Sequence, residues 1–190
     1  MRIIGGSARG RILKGPPRPR ASGRPGIRPT SDLVRGAIFD MLDAMGADYS
    51  RVLDLYAGSG ALGIEALSRG DGTADFVDDD GTAVAVMRAN LNIAGMDGRA
   101  QVHRLPAESV TSRLSGPYTL VLADPPYYDG DVFGVPRAVA GSALVGRDSV
   151  IVVEHHRRVE PPEALGPFAL YRSRRHGDTV VSIYAQEEAA

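Results

Sequence analysis

The chain has 190 residues, 43% of them apolar and 24% charged, with a net charge of −1 and no cysteine. That length is one domain with room for a small appendage, and the composition excludes a disordered chain, a collagen, a coiled coil, a disulfide framework and thiolate chemistry. Residues 1–28 hold Arg2, Arg9, Arg11, Lys14, Arg18, Arg20, Arg24 and Arg28 and no acid, so the rest of the chain is strongly acidic; this is the pattern of a basic arm for a polyanion on an acidic body.

No apolar run approaches the ~18 residues of a membrane helix, and the start has no signal-peptide apolar core. The expected compartment is the cytoplasm, with no membrane partner. Arg2-Ile3-Ile4 and Arg11-Ile12-Leu13 flank a Gly-rich turn and read as a small basic β-hairpin. Residues 15–29 contain five prolines and three glycines, an extended linker rather than a helix. The expected division is a basic hairpin and linker over 1–29 and a catalytic domain over 30–190. Because the arm carries the charge asymmetry and none of the site motifs, it is expected to be removable without loss of cofactor binding.

Thr30 or Ser31 supplies an N-cap, and Leu33/Val34, Ala37/Ile38 and Met41/Leu42 recur at the spacing of an amphipathic helix. An α/β alternation follows. Strands are predicted at 52–55, 74–77, around Val102, at 118–123 and at 150–153, with helices over 61–69 and 82–94. Two closing strands, near 168–172 and 179–184, make an antiparallel ending to a mostly parallel, doubly wound sheet.

Gly58, Gly60 and Gly63 satisfy G-x-G-x-x-G at the first strand–helix turn. The plain reading is a turn that needs positive φ; the functional one is close approach of a ligand to the backbone. Asp54 lies four residues before Gly58. A carboxylate there repels a pyrophosphate and attracts an ammonium group. Asp78 ends the second strand, 20 residues after Gly58, where a carboxylate accepts from ribose hydroxyls; Asp79 and Asp80 follow it, and the choice among the three stays open. An ammonium, a ribose and no phosphate point to S-adenosylmethionine (SAM). Asp124-Pro125-Pro126-Tyr127 ends the fourth strand. Its prolines remove two backbone donors and leave the Asp124 carboxylate and the Pro125 carbonyl as acceptors beside an aromatic ring. That set suits a planar, amine-bearing substrate; the plain alternative is a rigid proline turn.

With Asp54-x-Tyr56-Ala57-Gly58-Ser59-Gly60 and Asp124-Pro125-Pro126-Tyr127, the chain resembles the SAM-dependent amino-methyltransferases. Arg2-Ile3-Ile4-Gly5-Gly6, Arg9-Gly10-Arg11, Arg28-Pro29-Thr30-Ser31-Asp32 and Gly177-Asp178-Thr179 narrow the resemblance, over about residues 1–185, to the bacterial 16S rRNA guanine-N2 methyltransferases of the RsmD type. The resemblance implies the class I, Rossmann-like α/β fold, with seven strands in the order 3-2-1-4-5-7-6. It implies methyl transfer to the exocyclic amine of a guanine in 16S rRNA, within the small ribosomal subunit or an assembly intermediate. It assigns Thr30, Asp54, Tyr56, Ala57, Gly58, Ser59, Gly60, Asp78 and Asp79 to the cofactor and Asp124–Tyr127 to the target base. Leu105-Pro106-Ala107-Glu108 has proline where many such enzymes place an acid for the adenine, so either the Ala107 backbone or Glu108 takes that role. Arg2, Arg9, Arg11, Lys14, Arg18, Arg20 and Arg28 are the RNA-binding set.

His103, His155, His156 and His176 lack the spacing of a metal site, and no metal is expected. Arg172, Arg174 and Arg175 form a basic hairpin, either a solvated turn or a second phosphate contact. Rival readings are an amino-methyltransferase for DNA adenine or protein glutamine, a dehydrogenase, and a non-catalytic RNA-binding protein.

Overall fold

A computed structural model of the chain describes residues 1–15, 32–126 and 130–186. Its centre is an eight-stranded sheet: β1 (Arg51–Leu55), β2 (Thr73–Asp78), β3 (Ala100–Arg104), β4 (Tyr118–Ala123), β5 (Val145–His156), β6 (Ala164–Leu165), β7 (Phe168–His176) and β8 (Thr179–Ala185). The order is β3-β2-β1-β4-β5-β8-β7-β6. The first five strands in this order are parallel, and β8, β7 and β6 add on antiparallel. The expected seven strands are therefore joined by an eighth, the two-residue β6. It forms because Leu165 is buried and Gly166 turns the chain with φ 57°, pairing Leu165 with Phe168. Setting β6 aside, the longer strands follow the 3-2-1-4-5-7-6 order.

Strands with both faces covered read as near-continuous apolar runs, as β4 does. On one face lie α1 (Asp32–Ala44), α2 (Ala61–Arg69) and α3 (Gly81–Ala94), whose Ile38, Phe39, Ile64, Leu67, Met87 and Leu91 join Val52, Phe76, Leu120 and Leu122 in one core. The other face carries α4 (Val110–Arg113) and α5 (Gly134–Ala140) over Leu53, Val121, Ile151 and Val153. The periodicity did not expose α4 or α5, because four and seven residues span too few turns to show a repeat. Among the described residues, no helix is long and apolar enough to cross a membrane.

The amino-terminal hairpin takes another form than expected. Arg2 and Ile12 make a single antiparallel bridge instead of two strands. The Ile4 and Gly5 amides donate to the buried Glu65 carboxylate at 2.8 and 2.7 Å, so the donors that would extend a ladder go to α2. Ile3, Ala8 and Leu13 are buried in the α1–α3 core.

β1 and β4 are neighbours whose connections depart in opposite directions, to β2 on one side and to β5 on the other. In open α/β sheets this switch point, at the carboxyl ends of the strands, is where ligands bind.

Candidate functional site

Two turns leave the sheet at the switch point. The first, residues 56–60, joins β1 to α2. Tyr56 there has φ 56°, an uncommon conformation for a residue with a side chain, found at turns and functional sites. The Ala57 amide donates to the Val77 carbonyl at 3.0 Å, and that of Gly60 to the Ala57 carbonyl at 2.7 Å, closing the loop against β2. The three glycines do different work. A Cβ on Gly63 would lie 2.3 Å from the Phe76 ring, and one on Gly60 2.8 Å from Met87, so both serve packing of helix on sheet. Gly58 has φ 54°, and its Cβ position meets nothing nearer than the Tyr56 carbonyl at 3.9 Å. Its backbone therefore borders open space, as a ligand-facing glycine requires.

Asp54 is buried and accepts from the Gly63 amide at 2.8 Å, in the first turn of α2. Burial pushes its carboxyl up to about 8; the Gly63 hydrogen bond opposes this, while the charges of Asp124 and Asp78 add to it. Without a ligand, Asp54 thus holds a proton near neutral pH, and an arriving cation would release it. Asp54, Asp78 and Asp124 lie close enough for their negative charges to oppose one another.

Asp78 is held between the first turn and the start of its own β2–α3 turn: Oδ2 accepts from the Gly58 amide at 2.8 Å and Oδ1 from the Asp80 amide at 2.9 Å. Burial raises its pKa and these two bonds lower it. Each oxygen keeps a second lone-pair direction. Its neighbours are engaged otherwise. Asp80 caps α3 through the Thr82 amide at 2.7 Å, and Asp79 is exposed, its carbonyl receiving Arg104 Nε at 3.3 Å. Of the three acids left open by the sequence, Asp78 is the one the fold sets against the glycine loop.

The second turn begins at Asp124, half-buried, and runs through buried Pro125. Ala123 pairs with Leu55 and with Val153, so Asp124 follows β4 between the end of β1 and Glu154 of β5; Glu154 is 3% exposed. Ala107, buried, and Glu108, exposed, lie in a short 3-10 turn after β3, tied to the Asp78 region by a bond from the Leu105 amide to the Asp78 carbonyl at 3.2 Å. Tyr127, Thr30, Arg18, Arg20 and Arg28, and the proposed N-cap at Thr30 or Ser31, lie outside the described residues.

The remaining members of the RNA-binding set separate. Arg9 sits in the turn whose Ser7 and Ala8 amides bond Ser68 at 2.7 and 3.0 Å, and Arg11 reaches the Ile93 carbonyl at 3.0 Å. Ser68 and Ile93 end α2 and α3, which start at the glycine-loop edge, so Arg9 and Arg11 lie at the opposite end of the molecule. Lys14, by contrast, is held at the glycine loop by a residue the motifs did not single out. Asn90 is fully buried; its Nδ2 donates to the Ser59 carbonyl at 2.9 Å and the Lys14 carbonyl at 3.1 Å, and its Oδ1 accepts from the Lys14 amide at 2.8 Å. The signal was an asparagine on the apolar face that carries Met87, Leu91 and Ala94.

The Asp54 shift carries a stability consequence. The folded value, about 8, lies above the unfolded one of about 3.9, so the native state binds more protons between them, loses stability as pH rises from one value to the other, and loses no more from this group above about 8. His155, whose pKa burial lowers, acts at more acid pH. Thermal unfolding of the ligand-free protein is expected to move to lower temperature from about pH 6.5 to about 8 and to level off above that, and Asp54→Asn should flatten that fall. An equal slope in the variant would place the proton elsewhere.

Residues 1–185 match the family described as conserved hypothetical protein 95. The chain is 38% identical over 188 residues to YlbH of Bacillus subtilis, whose name assigns it provisionally to the rRNA methyltransferases, with 97% of this chain and 98% of that one covered. It is 32% identical to the ribosomal RNA small subunit methyltransferase D of Escherichia coli, covering 98% of this chain and 90% of that one. A solved RNA methyltransferase from Salinibacter ruber, in complex with S-adenosyl-L-homocysteine, shares the fold with a TM-score of 0.61 at 16% identity, over 86% of this chain and 97% of that one.

Proposed function

The chain belongs to the conserved hypothetical protein 95 family and is a methyltransferase, and on that premise we propose that it transfers a methyl group from SAM to the N2 amine of a guanine in 16S rRNA. The observation that carries this reading is the meeting of the glycine loop, Asp78 and the Asp124-Pro125 turn at the β1/β4 switch point. Residues 30–190 are the catalytic domain and residues 1–29 its basic extension, working on the small subunit or an assembly intermediate in the cytoplasm.

The residues present fit the cofactor. Gly58 opens onto free space, Asp78 offers lone pairs to a ribose, and Asp54 becomes a carboxylate when a cation neutralises the site. Ala107 and Glu108, on the turn after β3, are the residues assigned to the adenine. When bound, SAM supplies a methyl group already activated on a sulfonium. The chain's own task is orientation. The guanine amine is a poor nucleophile because its lone pair is delocalised into the ring. Hydrogen bonds from its N–H groups to the Asp124 carboxylate and the Pro125 carbonyl favour a tetrahedral nitrogen and aim the lone pair. The proton leaves to Asp124 or to solvent as charge builds on nitrogen. A paired guanine must first leave its stack, and Tyr127 is the aromatic residue assigned to receive it.

Small subunits from cells lacking the enzyme, incubated with labelled SAM, should gain one methyl group on a guanine amine; duplex DNA and protein incubated alongside should gain none. Asp78→Ala is expected to weaken SAM binding by about 1.5–3 kcal/mol, the scale of hydrogen bonds to a charged group, with rRNA affinity retained. Titration calorimetry reads both, and unchanged SAM affinity would remove Asp78 from the ribose.

A further inference from the structure

We propose that the arginine-bearing end of the β7–β8 hairpin, with Arg158 beside it, is the surface that holds the phosphate backbone of the RNA next to the methylated base. This rests on the rRNA-methylating reading and adds where the polyanion lies.

The topology places these residues at the catalytic edge. β8 is antiparallel to β5, and β7 is antiparallel to β8, so β7 runs parallel to the strands that carry the site. His156 of β5 and His176 of β7 both pair with Thr179. The ends of β5 and β7, and the turn between β7 and β8, therefore lie at the same edge as Asp124. Three strand intervals of about 4.8 Å set the hairpin about 14 Å to the side of β4, and its tip reaches a further ~10 Å beyond the end of β4 along the strands. That offset suits phosphates a few nucleotides from a base held at Asp124.

The charge is available. Arg158, Arg172, Arg174 and Arg175 are exposed, and among the described residues none of the four pairs with a carboxylate. Asp178, the acid in this turn, is engaged by Arg157 at 2.8 Å. Arg175 is oriented by its own turn, Nε to the Gly177 carbonyl at 2.8 Å, and Arg172 lies over the Tyr171 ring at 5.6 Å. Cross-strand partners share a face. Arg174 pairs with Val181, which packs in the α1–α3 core, and Arg175 with Val180, one residue along. The two guanidiniums thus leave opposite faces, and the rim is cationic from both sides. The plain function of such charges is to keep an edge strand from pairing with other chains, which any charged side chain would do. Unpaired arginine on the catalytic edge, with Arg9 and Arg11 held at the far end, favours an RNA backbone, since guanidinium matches phosphate in geometry.

The test is binding and methylation of small-subunit rRNA by the full chain and by the Arg158→Ala, Arg174→Ala, Arg175→Ala triple variant. The variant should bind this RNA about tenfold or more weakly, and its log–log salt slope should fall by about 2, three contacts at about 0.7 each. SAM affinity and thermal unfolding should match those of the unaltered chain, because all three side chains are exposed. If the triple variant does not fold, Arg174→Ala and Arg175→Ala singly carry the measurement. RNA affinity and salt slope equal to those of an actively methylating parent overturn this surface and leave the functional reading standing. Weakened binding to assembled particles, with naked rRNA bound normally, assigns the patch to an acidic protein surface and overturns the RNA contact. If the unaltered chain methylates no small-subunit RNA, the functional reading fails and this surface falls with it.

Discussion

Glu65→Ala is expected to cost about 3–5 kcal/mol of folding stability, the scale of breaking a buried charged pair from one side. Glu65 is fully buried on α2. It accepts from the Ile4 and Gly5 amides and from Arg69 Nε at 3.1 Å, and Arg35 Nε lies 3.5 Å away. Arg35, also fully buried, donates to the Arg2 carbonyl and to Asp32 at 3.0 Å. One carboxylate thus fastens the amino terminus to α1 and α2. Alanine would strand two backbone donors away from water and leave the buried Arg35 with Asp32 as its remaining carboxylate partner. Since a domain's whole stability is about 5–15 kcal/mol, urea unfolding should register a large drop. Glu65→Gln keeps an acceptor oxygen and should lose less. A drop below about 1 kcal/mol, the scale of an exposed pair, would mean that the terminus is held by its apolar contacts alone.

The same contacts revise the expectation that the basic arm is removable. Residues 1–14 supply Ile3, Ala8 and Leu13 to the core and the Lys14 backbone to Asn90, which also holds the glycine loop at Ser59. Deleting them is expected to disturb fold and cofactor site together. Composition showed the arm's charge, which is a local property. Its attachment depends on Glu65 and Asn90, about 60 and 76 residues further along the chain, and no spacing rule spans such distances. The opposite case is the strand–loop–helix at 51–69. There the apolar run, the glycines and the following helical period lie within twenty residues, so the positions of Asp54 and Gly58 at a strand end could be read directly. The position of Asp124 was legible for the same reason, from β4's apolar run and the two prolines after it. Arg158, Arg174 and Arg175 were visible as charges, but only the antiparallel return of β8 and β7 brings them to the catalytic edge.

Asp124→Ala is expected to lower the single-turnover rate of rRNA methylation by 10²-fold or more, about 2.7 kcal/mol of transition-state stabilisation. The side chain is one of two acceptors proposed for the amine, and its partner, the Pro125 carbonyl, is backbone and remains. Asp124→Asn separates the two tasks. It keeps an acceptor oxygen and loses the charge, so a small loss of rate assigns orientation to Asp124, while a loss equal to alanine's assigns it the proton. SAM affinity should survive both changes, because the glycine loop and Asp78 are untouched. A second readout comes from the apo protein. The Asp124 charge helps to hold the Asp54 carboxyl up at about 8, so either substitution should lower the pH at which the decline of ligand-free stability levels off. Wild-type methylation by both variants would make the motif a proline turn and misplace the active site. A lost rate with an unmoved stability profile would keep Asp124 catalytic while removing its charge from Asp54's surroundings.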